Sequence, residues 1–333
     1  MAPSSRCPTP RSALTWTSPK TWSWHAGCWP GGRRKAAASG GRPGVRAGGG
    51  GRQRPVRRSE RISAVTKLLV DRPHQIITLA ELGELLGAAK STLSEDIAII
   101  RDTCQRLGLG RVETLPGAAG GVRYVPLLSR QVMRDVVDQL VRSLSDPDRI
   151  LPGGFLYMSD IVASPHLLTR IGELFATRFY EREPQAVVTV ETRGIPIALM
   201  TARALNVPLA IVRRSTRLSE GTVLTMNYVS GSARRIETMS LSRRAIAPGT
   251  RVLIIDDFMK AGGTARGLVD LMGEFRAPVV GVGVLIETLE PRQKLVRDYV
   301  SLVVLEAVEE ETRTVRVRAS EWLAEDDSPS DGG

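Results

Sequence analysis

Two adjacent carboxylates followed by a run of small residues stand out in VLIIDDFMKAGGT, residues 252–264. Asp256 and Asp257 could accept hydrogen bonds from the two vicinal hydroxyls of a ribose. The small residues let a ligand approach the backbone, and free N–H groups at a helix start can hold a phosphate. The stretch therefore predicts a sugar-phosphate site. Its candidate residues are Asp256, Asp257, Phe258, Met259, Lys260, Ala261, Gly262, Gly263 and Thr264.

A second stretch, VETRGIPIA at residues 190–198, predicts another part of the same site. Its apolar run ends at Glu191, and the next residues would offer backbone N–H groups and a guanidinium to a second phosphate. Two arginines at the end of the next apolar run could add positive charge, although a surface arginine is often only solvated. The candidates are Thr192, Arg193, Gly194, Arg213 and Arg214.

Other phosphate-binding motifs do not fit these stretches. GxxxxGK[ST] is absent, so there is no Walker A loop, and there is no GxGxxG fingerprint. The structural alternative is a tight strand-to-helix turn with a solvated acid pair. The joint occurrence of a strand, an acid pair, glycines and a helix favours the ligand site.

Strand and helix patterns alternate around both stretches. AVVTVE, VPLAIVRR, RVLIIDD and APVVGVGVLIE are typical of strands, and IPIALMTARAL and TARGLVDLMGEF of helices. The alternation predicts an α/β fold with a parallel sheet and flanking helices. In such sheets ligands bind beyond the carboxyl ends of the strands, where both stretches fall. Residues 220–241 are typical of a long β-arm or flap over the pocket.

Residues 56–128 have a different pattern. Three amphipathic helices are indicated in turn, the second opening with the capping box Thr78–Glu81 and the third with the apolar stripe Leu93, Ile97, Ile100 and Cys104. A glycine-tipped hairpin follows in RVETLPGAAGGVRYVPL, which predicts a winged helix. A three-helix dimerisation or scaffold domain is the alternative.

The winged-helix hypothesis assigns DNA contacts to two groups of residues. The start of the third helix would reach base edges or phosphates, and basic residues elsewhere would meet the phosphate backbone. The first group is Lys90, Ser91, Thr92 and Ser94, and the second is Arg57, Arg58 and Arg123.

The net charge of +11 comes from the first 58 residues, which hold twelve basic residues and no acidic one. The remainder is nearly neutral, with 34 basic and 35 acidic residues, so its charge alone indicates no partner. We expect residues 1–55, which are rich in Gly, Arg and Pro, to be disordered. They could form a basic arm with nonspecific DNA affinity, or come from translation upstream of the true start.

Cysteine and histidine usage indicates neither a disulfide framework nor a metal site. The three cysteines and three histidines are scattered without paired spacing, which favours a reducing cytoplasm. No apolar run approaches the roughly 18 residues of a membrane span, so no membrane association is expected.

The chain from about Val56 to Trp322 resembles the purine repressor family of Gram-positive bacteria. KSTLSEDIAII, PGAAGGVRY, RILPGG, NYVSGS and VLIIDDFMKAGGT carry the resemblance, and the last also resembles the 5-phosphoribosyl-1-diphosphate (PRPP) motif of type I phosphoribosyltransferases. The resemblance implies a winged helix joined to a phosphoribosyltransferase-like domain, a homodimer, and an operator in double-stranded DNA upstream of purine synthesis and transport genes.

The resemblance also implies the ligands. PRPP would relieve DNA binding, and guanosine tetraphosphate would compete for the same pocket. No cofactor is required, and whether Mg²⁺ accompanies PRPP stays open. Phe155 and Tyr157 would border the pocket, but the family often has tyrosine where Phe155 stands, so a hydroxyl contact there is in doubt.

An active purine phosphoribosyltransferase is the alternative to a sensor. Purine-salvage enzymes often carry a base-binding aspartate at the position of Lys260, and a protonated lysine cannot accept that proton. With the winged helix upstream, this favours a sensor without enzymatic activity. The predicted domains are 1–55 (basic extension), 56–128 (winged helix), 129–323 (phosphoribosyltransferase-like effector domain) and 324–333 (disordered acidic tail).

Overall fold

The computed structural model describes residues 56–117, 120–215, 221–229 and 236–323. The two segments predicted to be disordered, 1–55 and 324–333, lie outside the described residues. So do two alanines of the predicted hairpin tip and the middle of the predicted β-arm, residues 230–235.

The amino-terminal module confirms the winged-helix prediction. The Thr78 hydroxyl accepts the Glu81 N–H at 3.1 Å while the Glu81 carboxylate accepts the Thr78 N–H at 2.9 Å, which caps the second helix as expected. Gly87 and Gly108 end the second and third helices in left-handed conformation, with φ of 62° and 63°. The elements are α1 (Arg58–Asp71), α2 (Leu79–Leu86), α3 (Lys90–Leu107), β1 (Arg111–Leu115) and β2 (Gly121–Val125).

The predicted apolar stripe of α3 is buried, and one acidic residue lies beside it. Asp96 is fully buried and receives the Arg61 Nε at 2.8 Å and the Arg58 Nε at 3.3 Å. Both arginines belong to α1, so a charged cluster joins the first and third helices inside the module. No local sequence pattern predicts this contact, because the two helices are far apart along the chain.

The second domain is built on a six-stranded sheet, which confirms the α/β prediction. The strand order is β12-β11-β10-β9-β5-β6, and every pairing is parallel except that of β12 with β11. Its elements are α4 (Arg130–Leu144), β3 (Ile150–Leu151), β4 (Phe155–Leu156), α5 (Pro165–Phe179), β5 (Ala186–Val190), α6 (Gly194–Leu205), β6 (Leu209–Val212), β7 (Val223–Val229), β8 (Ile236–Ser242), β9 (Val252–Met259), α7 (Gly263–Glu274), β10 (Val279–Thr288), β11 (Val300–Glu309) and β12 (Thr314–Ala319).

Side chains of the sheet alternate between two apolar cores. Leu253 and Ile255 of β9 face the core formed with α4, α5 and α6, whereas Val252 and Ile254 face the core formed with α7 and the β7–β8 hairpin. The predicted β-arm is this antiparallel hairpin. Its Tyr228 packs against Gly267 of α7, so the base of the arm is anchored to the domain.

The structure corrects the predicted end of the strand that carries the acid pair, and it adds elements that the sequence patterns did not predict. The acid pair does not leave its strand, because β9 continues to Met259, where Phe258 and Met259 still pair with the long neighbour β10. Helix α5 and the strands β11 and β12 were missed. No helix of the described residues is long and apolar enough to cross a membrane.

Candidate functional site

The predicted sugar-phosphate site lies where the carboxyl ends of β5 and β9 meet. The two strands are adjacent and parallel, so Glu191, which follows β5, lies at the same end of the sheet as the acid pair within β9. A cavity opens there between the end of β9 and the start of α7. It is lined by Asp256, Phe258, Met259, Lys260, Ala261, Gly262, Gly263, Thr264, Ala265 and Val284.

The two carboxylates are buried side by side. Asp256 is 6% exposed and Asp257 is 8% exposed, and the Asp257 N–H donates to Oδ1 of Asp256 at 2.9 Å. Arg193 Nε lies 3.1 Å from Oδ2 of Asp257, but its N–H is not aligned with that oxygen. In the described structure, this buried oxygen therefore has no hydrogen-bond donor, as expected of an atom that awaits a ligand hydroxyl.

Burial raises the pKa of Asp256 well above its usual range, and the neighbouring charge of Asp257 raises it further. The positive charge of Arg214 opposes that shift. A strained charge pair of this kind is more typical of binding sites than of structural positions. Donors such as ribose hydroxyls would stabilise the ionised form.

Gly194 shows how closely the second stretch approaches the acid pair. A Cβ atom at this position would lie 2.8 Å from Oδ1 of Asp256 and 2.5 Å from Oγ1 of Thr189. Only glycine allows the start of α6 to lie against the carboxylate. The structure thus brings Arg193 and Gly194 to the acid pair, while Thr192 is exposed on the same loop.

The backbone between β9 and α7 forms a tight turn at the position of the predicted phosphate loop. Gly262 has φ of 83°, and α7 begins at the next residue, so the first N–H groups of that helix open into the cavity. Lys260 is exposed and Thr264 is half-buried beside them.

A segment missed by the sequence analysis supports this loop. Leu295 N–H donates to the Ala261 carbonyl at 2.9 Å, and Lys294 Nζ donates to the carbonyls of Lys260 at 2.6 Å and Thr288 at 2.5 Å. Burial lowers the pKa of Lys294. The segment follows the carboxyl end of β10, so the rule that ligands bind beyond strand ends could have indicated it.

Arg213 and Arg214 are near the site but already hold acidic partners. Arg214 donates its backbone N–H to Glu191 at 2.7 Å and pairs through its guanidinium with Glu237 of β8; Arg213 Nη1 lies 3.4 Å from Glu191. Tyr228 also donates to Glu237, at 2.6 Å. The two arginines therefore connect the β-arm to the end of β5, which differs from the expected role as uncompensated positive charge.

Phe155 and Tyr157 do not line the cavity at the end of β9, which Asp256 lines and Asp257 does not. Both are exposed on and beside the short hairpin β3–β4, at 69% and 43% respectively. Their placement leaves the implied contact with the ligand without support from the described geometry.

The start of α3 presents most of the predicted DNA-contacting residues on the surface. Lys90, Ser91 and Ser94 are exposed and Thr92 is half-buried, although the Ser94 hydroxyl donates to the Lys90 carbonyl at 2.9 Å. Arg57 is exposed at the start of α1, and Arg58 keeps 57% of its side chain exposed while it pairs with Asp96.

Arg123 is placed differently from its prediction. Its neighbours Val122 and Tyr124 point into the core of the winged helix, so alternation along β2 turns Arg123 to the opposite face. There its Nε donates to Glu113 at 2.7 Å, and the side chain lines a cavity of about 620 Å³ together with Tyr180 and Arg251 of the second domain. This placement favours a contact with the second domain, and the DNA-backbone contact of Arg123 stays a prediction.

Family models match both domains. One described as the N-terminal domain of the bacterial purine repressor matches residues 57–126, and one described as a phosphoribosyl transferase domain matches residues 158–319. The purine biosynthesis transcriptional repressor of Bacillus subtilis (strain 168) is 45% identical over 267 residues, which is 80% of this chain and 94% of that protein.

Two further relatives show the range of functions on this fold. The purine biosynthesis transcriptional activator of Lactococcus lactis subsp. lactis is 38% identical over 263 residues, 79% of this chain and 97% of that protein. A xanthine phosphoribosyltransferase of Geobacillus thermodenitrificans is 34% identical over 153 residues, 45% of this chain and 79% of that enzyme.

Proposed function

The chain belongs to the family of bacterial purine repressors, and on that premise we propose that it is a PRPP-responsive regulator of purine genes. The winged helix binds operator DNA upstream of purine synthesis and transport genes and represses them. PRPP binds at the carboxyl ends of β5 and β9 and relieves repression. The observation that carries this proposal is the buried acid pair beside a helix start, with one carboxylate oxygen left without a donor.

Groups of the site suit the ribose, the 5-phosphate and the diphosphate of PRPP in turn. Ribose hydroxyls would donate to Asp256, which lines the cavity, and to Oδ2 of Asp257, which has no donor, and the N–H groups at the start of α7 suit the 5-phosphate. Arg193 and Lys260 are the cations beside them and would face the diphosphate. Guanosine tetraphosphate carries a ribose and two diphosphates, so it would compete for the same groups.

Regulation then follows from linkage. If DNA and PRPP favour different states of a homodimer, each ligand weakens binding of the other by the same factor at equilibrium. A dimer also suits a two-fold symmetric operator. No step of this scheme requires the ligand to be consumed.

A gel shift on DNA upstream of purine-synthesis genes tests the proposal. Retarded DNA should appear with the protein alone and be released as PRPP is added, whereas ribose 5-phosphate, which lacks the diphosphate, should release less. Chains starting at Met1 and near Val56 should both respond, because the site lies entirely within residues after 56. Binding of DNA that PRPP does not change contradicts the proposal.

An active phosphoribosyltransferase is the second candidate, favoured by the similarity of residues in this domain to a xanthine phosphoribosyltransferase. Lys260 argues against it, since it cannot accept a proton from a purine base while protonated. Chromatography of PRPP incubated with xanthine, guanine, hypoxanthine or adenine separates the two. Steady formation of a nucleotide would establish the enzyme.

A further inference from the structure

The winged helix rests on the carboxyl-terminal ends of α5 and α6. His74, in the loop between α1 and α2, has its ring 5.9 Å from the ring of Tyr180, which directly follows α5. The same imidazole lines a cavity together with Leu205, the last residue of α6. Burial lowers the pKa of His74. One side chain therefore lies between the ends of two helices of the other domain.

Further contacts stabilise the junction between the winged helix and the carboxyl-terminal ends of α5 and α6. The guanidinium of Arg111 in β1 lies 5.5 Å from the centre of the Tyr180 ring, and the Leu128 N–H donates to Thr177 of α5 at 2.9 Å. The His74 N–H donates to the Tyr124 carbonyl at 2.8 Å, which fixes the loop to the wing strand β2. A displacement of α5 and α6 would therefore move the whole winged helix.

The opposite end of α6 lies at the proposed ligand site. Gly194 begins the helix, and its Cα is so close to Asp256 that a Cβ would lie 2.8 Å from the carboxylate. The helix has 12 residues, which span about 18 Å at a rise of 1.5 Å per residue. A single rigid element therefore runs from the acid pair to the winged helix.

Helices α5 and α6 are packed too closely to move independently. A Cβ at Gly172 of α5 would lie 2.5 Å from the carbonyl carbon of Met200 in α6, so the two backbones are in direct contact. Packed elements of this kind shift as units between discrete arrangements. Movement of α6 at the ligand site would carry Tyr180 with it.

We propose that His74 is the positioning residue through which ligand occupancy at the acid pair reaches the winged helix. The inference rests on the proposed function, since it assumes that PRPP and DNA are coupled. His74 contacts neither ligand. It joins the DNA-binding module to α5 and α6, so that a shift of α6 on ligand binding changes the position of α3 relative to the effector domain.

The substitution His74→Asn tests this proposal. His74 has φ of 61°, a left-handed conformation that asparagine tolerates better than most residues, so the backbone is retained while the shorter side chain loses the ring contact with Tyr180. The matched control is His166→Asn, at an exposed position in the first turn of α5. Tyr180→Ala breaks the same junction from the other side.

Two binding constants are measured for each full-length variant: PRPP by calorimetry, and operator DNA by fluorescence anisotropy with and without PRPP. In both junction variants, PRPP affinity should stay within about twofold of wild type. The PRPP-induced loss of DNA affinity, about tenfold or more for a typical coupling, should fall towards one. His166→Asn should behave as wild type.

The outcomes distinguish the inference from its premise. Junction variants that bind PRPP and keep the wild-type loss of DNA affinity overturn the role of His74 and leave the proposed function intact. Junction variants that lose PRPP binding itself also overturn it, because His74 would then act on the site. A wild-type protein whose DNA affinity ignores PRPP overturns the proposed function and the coupling with it.

Discussion

Buried carboxylates occur in both domains, and their surroundings differ. Asp96 of the winged helix lies between Arg58 and Arg61, with guanidinium nitrogens at 3.3 and 2.8 Å. Asp256 and Asp257 of the effector domain lie against each other, and the pKa of Asp256 is raised by burial and by its neighbour. Asp96 accepts hydrogen bonds from two guanidinium groups, whereas Oδ2 of Asp257 has Arg193 Nε 3.1 Å away but accepts no hydrogen bond in the described structure.

The difference separates a structural charge from a functional one. A buried ion is tolerated when partners compensate its desolvation, and Asp96 meets that condition within the module. A buried acid pair with one oxygen that accepts no hydrogen bond costs stability and is typical of a site that a ligand completes. The comparison therefore predicts opposite consequences for removing the two kinds of charge.

Removal of Asp96 should have the largest effect on stability. Asp96→Ala leaves Arg61, whose side chain is 13% exposed, without its carboxylate and should cost about 3–5 kcal/mol. Urea unfolding of the full chain measures the loss, with DNA binding falling in parallel. Asp102→Ala is the control, because that carboxylate is 73% exposed and should change stability by less than about 0.5 kcal/mol. If Asp96→Ala and Asp102→Ala changed the free energy of unfolding equally, Asp96 would not have the structural role assigned to it.

Gly194→Ala should damage the ligand site at a moderate cost in stability. The added Cβ would meet both Thr189 and Asp256, and overpacking of this kind costs about 1–3 kcal/mol. We expect PRPP affinity to fall at least about tenfold, which corresponds to about 1.4 kcal/mol. Gly273→Ala in α7 is the matched control, because no atom lies within 4 Å of its Cβ position. Unchanged PRPP binding by Gly194→Ala, measured by calorimetry, would contradict the site.

Asp256→Asn should stabilise the ligand-free protein near neutral pH. A pKa raised on folding means that this group favours the folded state below its unfolded-state pKa and loses that contribution as pH rises through the folded-state pKa. The amide removes this loss, so the melting temperature should rise by about 2–4 °C per kcal/mol gained. Thermal unfolding from pH 8 to pH 4 checks the sign, since the gain should shrink as the pH falls.

Substitution of two basic residues of the winged helix should have the smallest effects, and these concern the salt dependence of DNA affinity. Lys90→Ala should lower the slope of DNA affinity against salt concentration by about one, as expected for one lost phosphate contact. Arg123→Ala should leave that slope unchanged, because its side chain faces Glu113 and the effector domain. Anisotropy titrations over a range of salt concentrations measure both. A reduced slope for Arg123→Ala would show that Arg123 contacts the DNA backbone and would contradict its placement against the effector domain.

Features that depend on neighbouring residues could be predicted from the sequence. The Thr78–Glu81 cap, the terminal glycines of α2 and α3 and the strand that carries the acid pair are all set by local patterns. The alternation of strands and helices along the chain was enough to predict the parallel sheet, because alternating strands and helices typically form that architecture.

Features that depend on distant residues could not be predicted in the same way. Arg61 and Asp96 are 35 residues apart, and Lys294 is 34 residues from the Lys260 carbonyl that it supports. The direction of Arg123 follows from which face of β2 is buried, and the length of β9 from its pairing with β10. Both are decided by tertiary packing.

The most direct test of the account compares wild type with Asp256→Asn/Asp257→Asn in a single titration. Operator DNA is bound first, and PRPP is then added while fluorescence anisotropy reports the bound fraction. The account predicts that the double variant binds DNA within about twofold of wild type but keeps it at PRPP concentrations that release the wild type, since the ribose hydroxyls lose their carboxylate acceptors. Release of DNA by the double variant at the wild-type PRPP concentration would contradict the account.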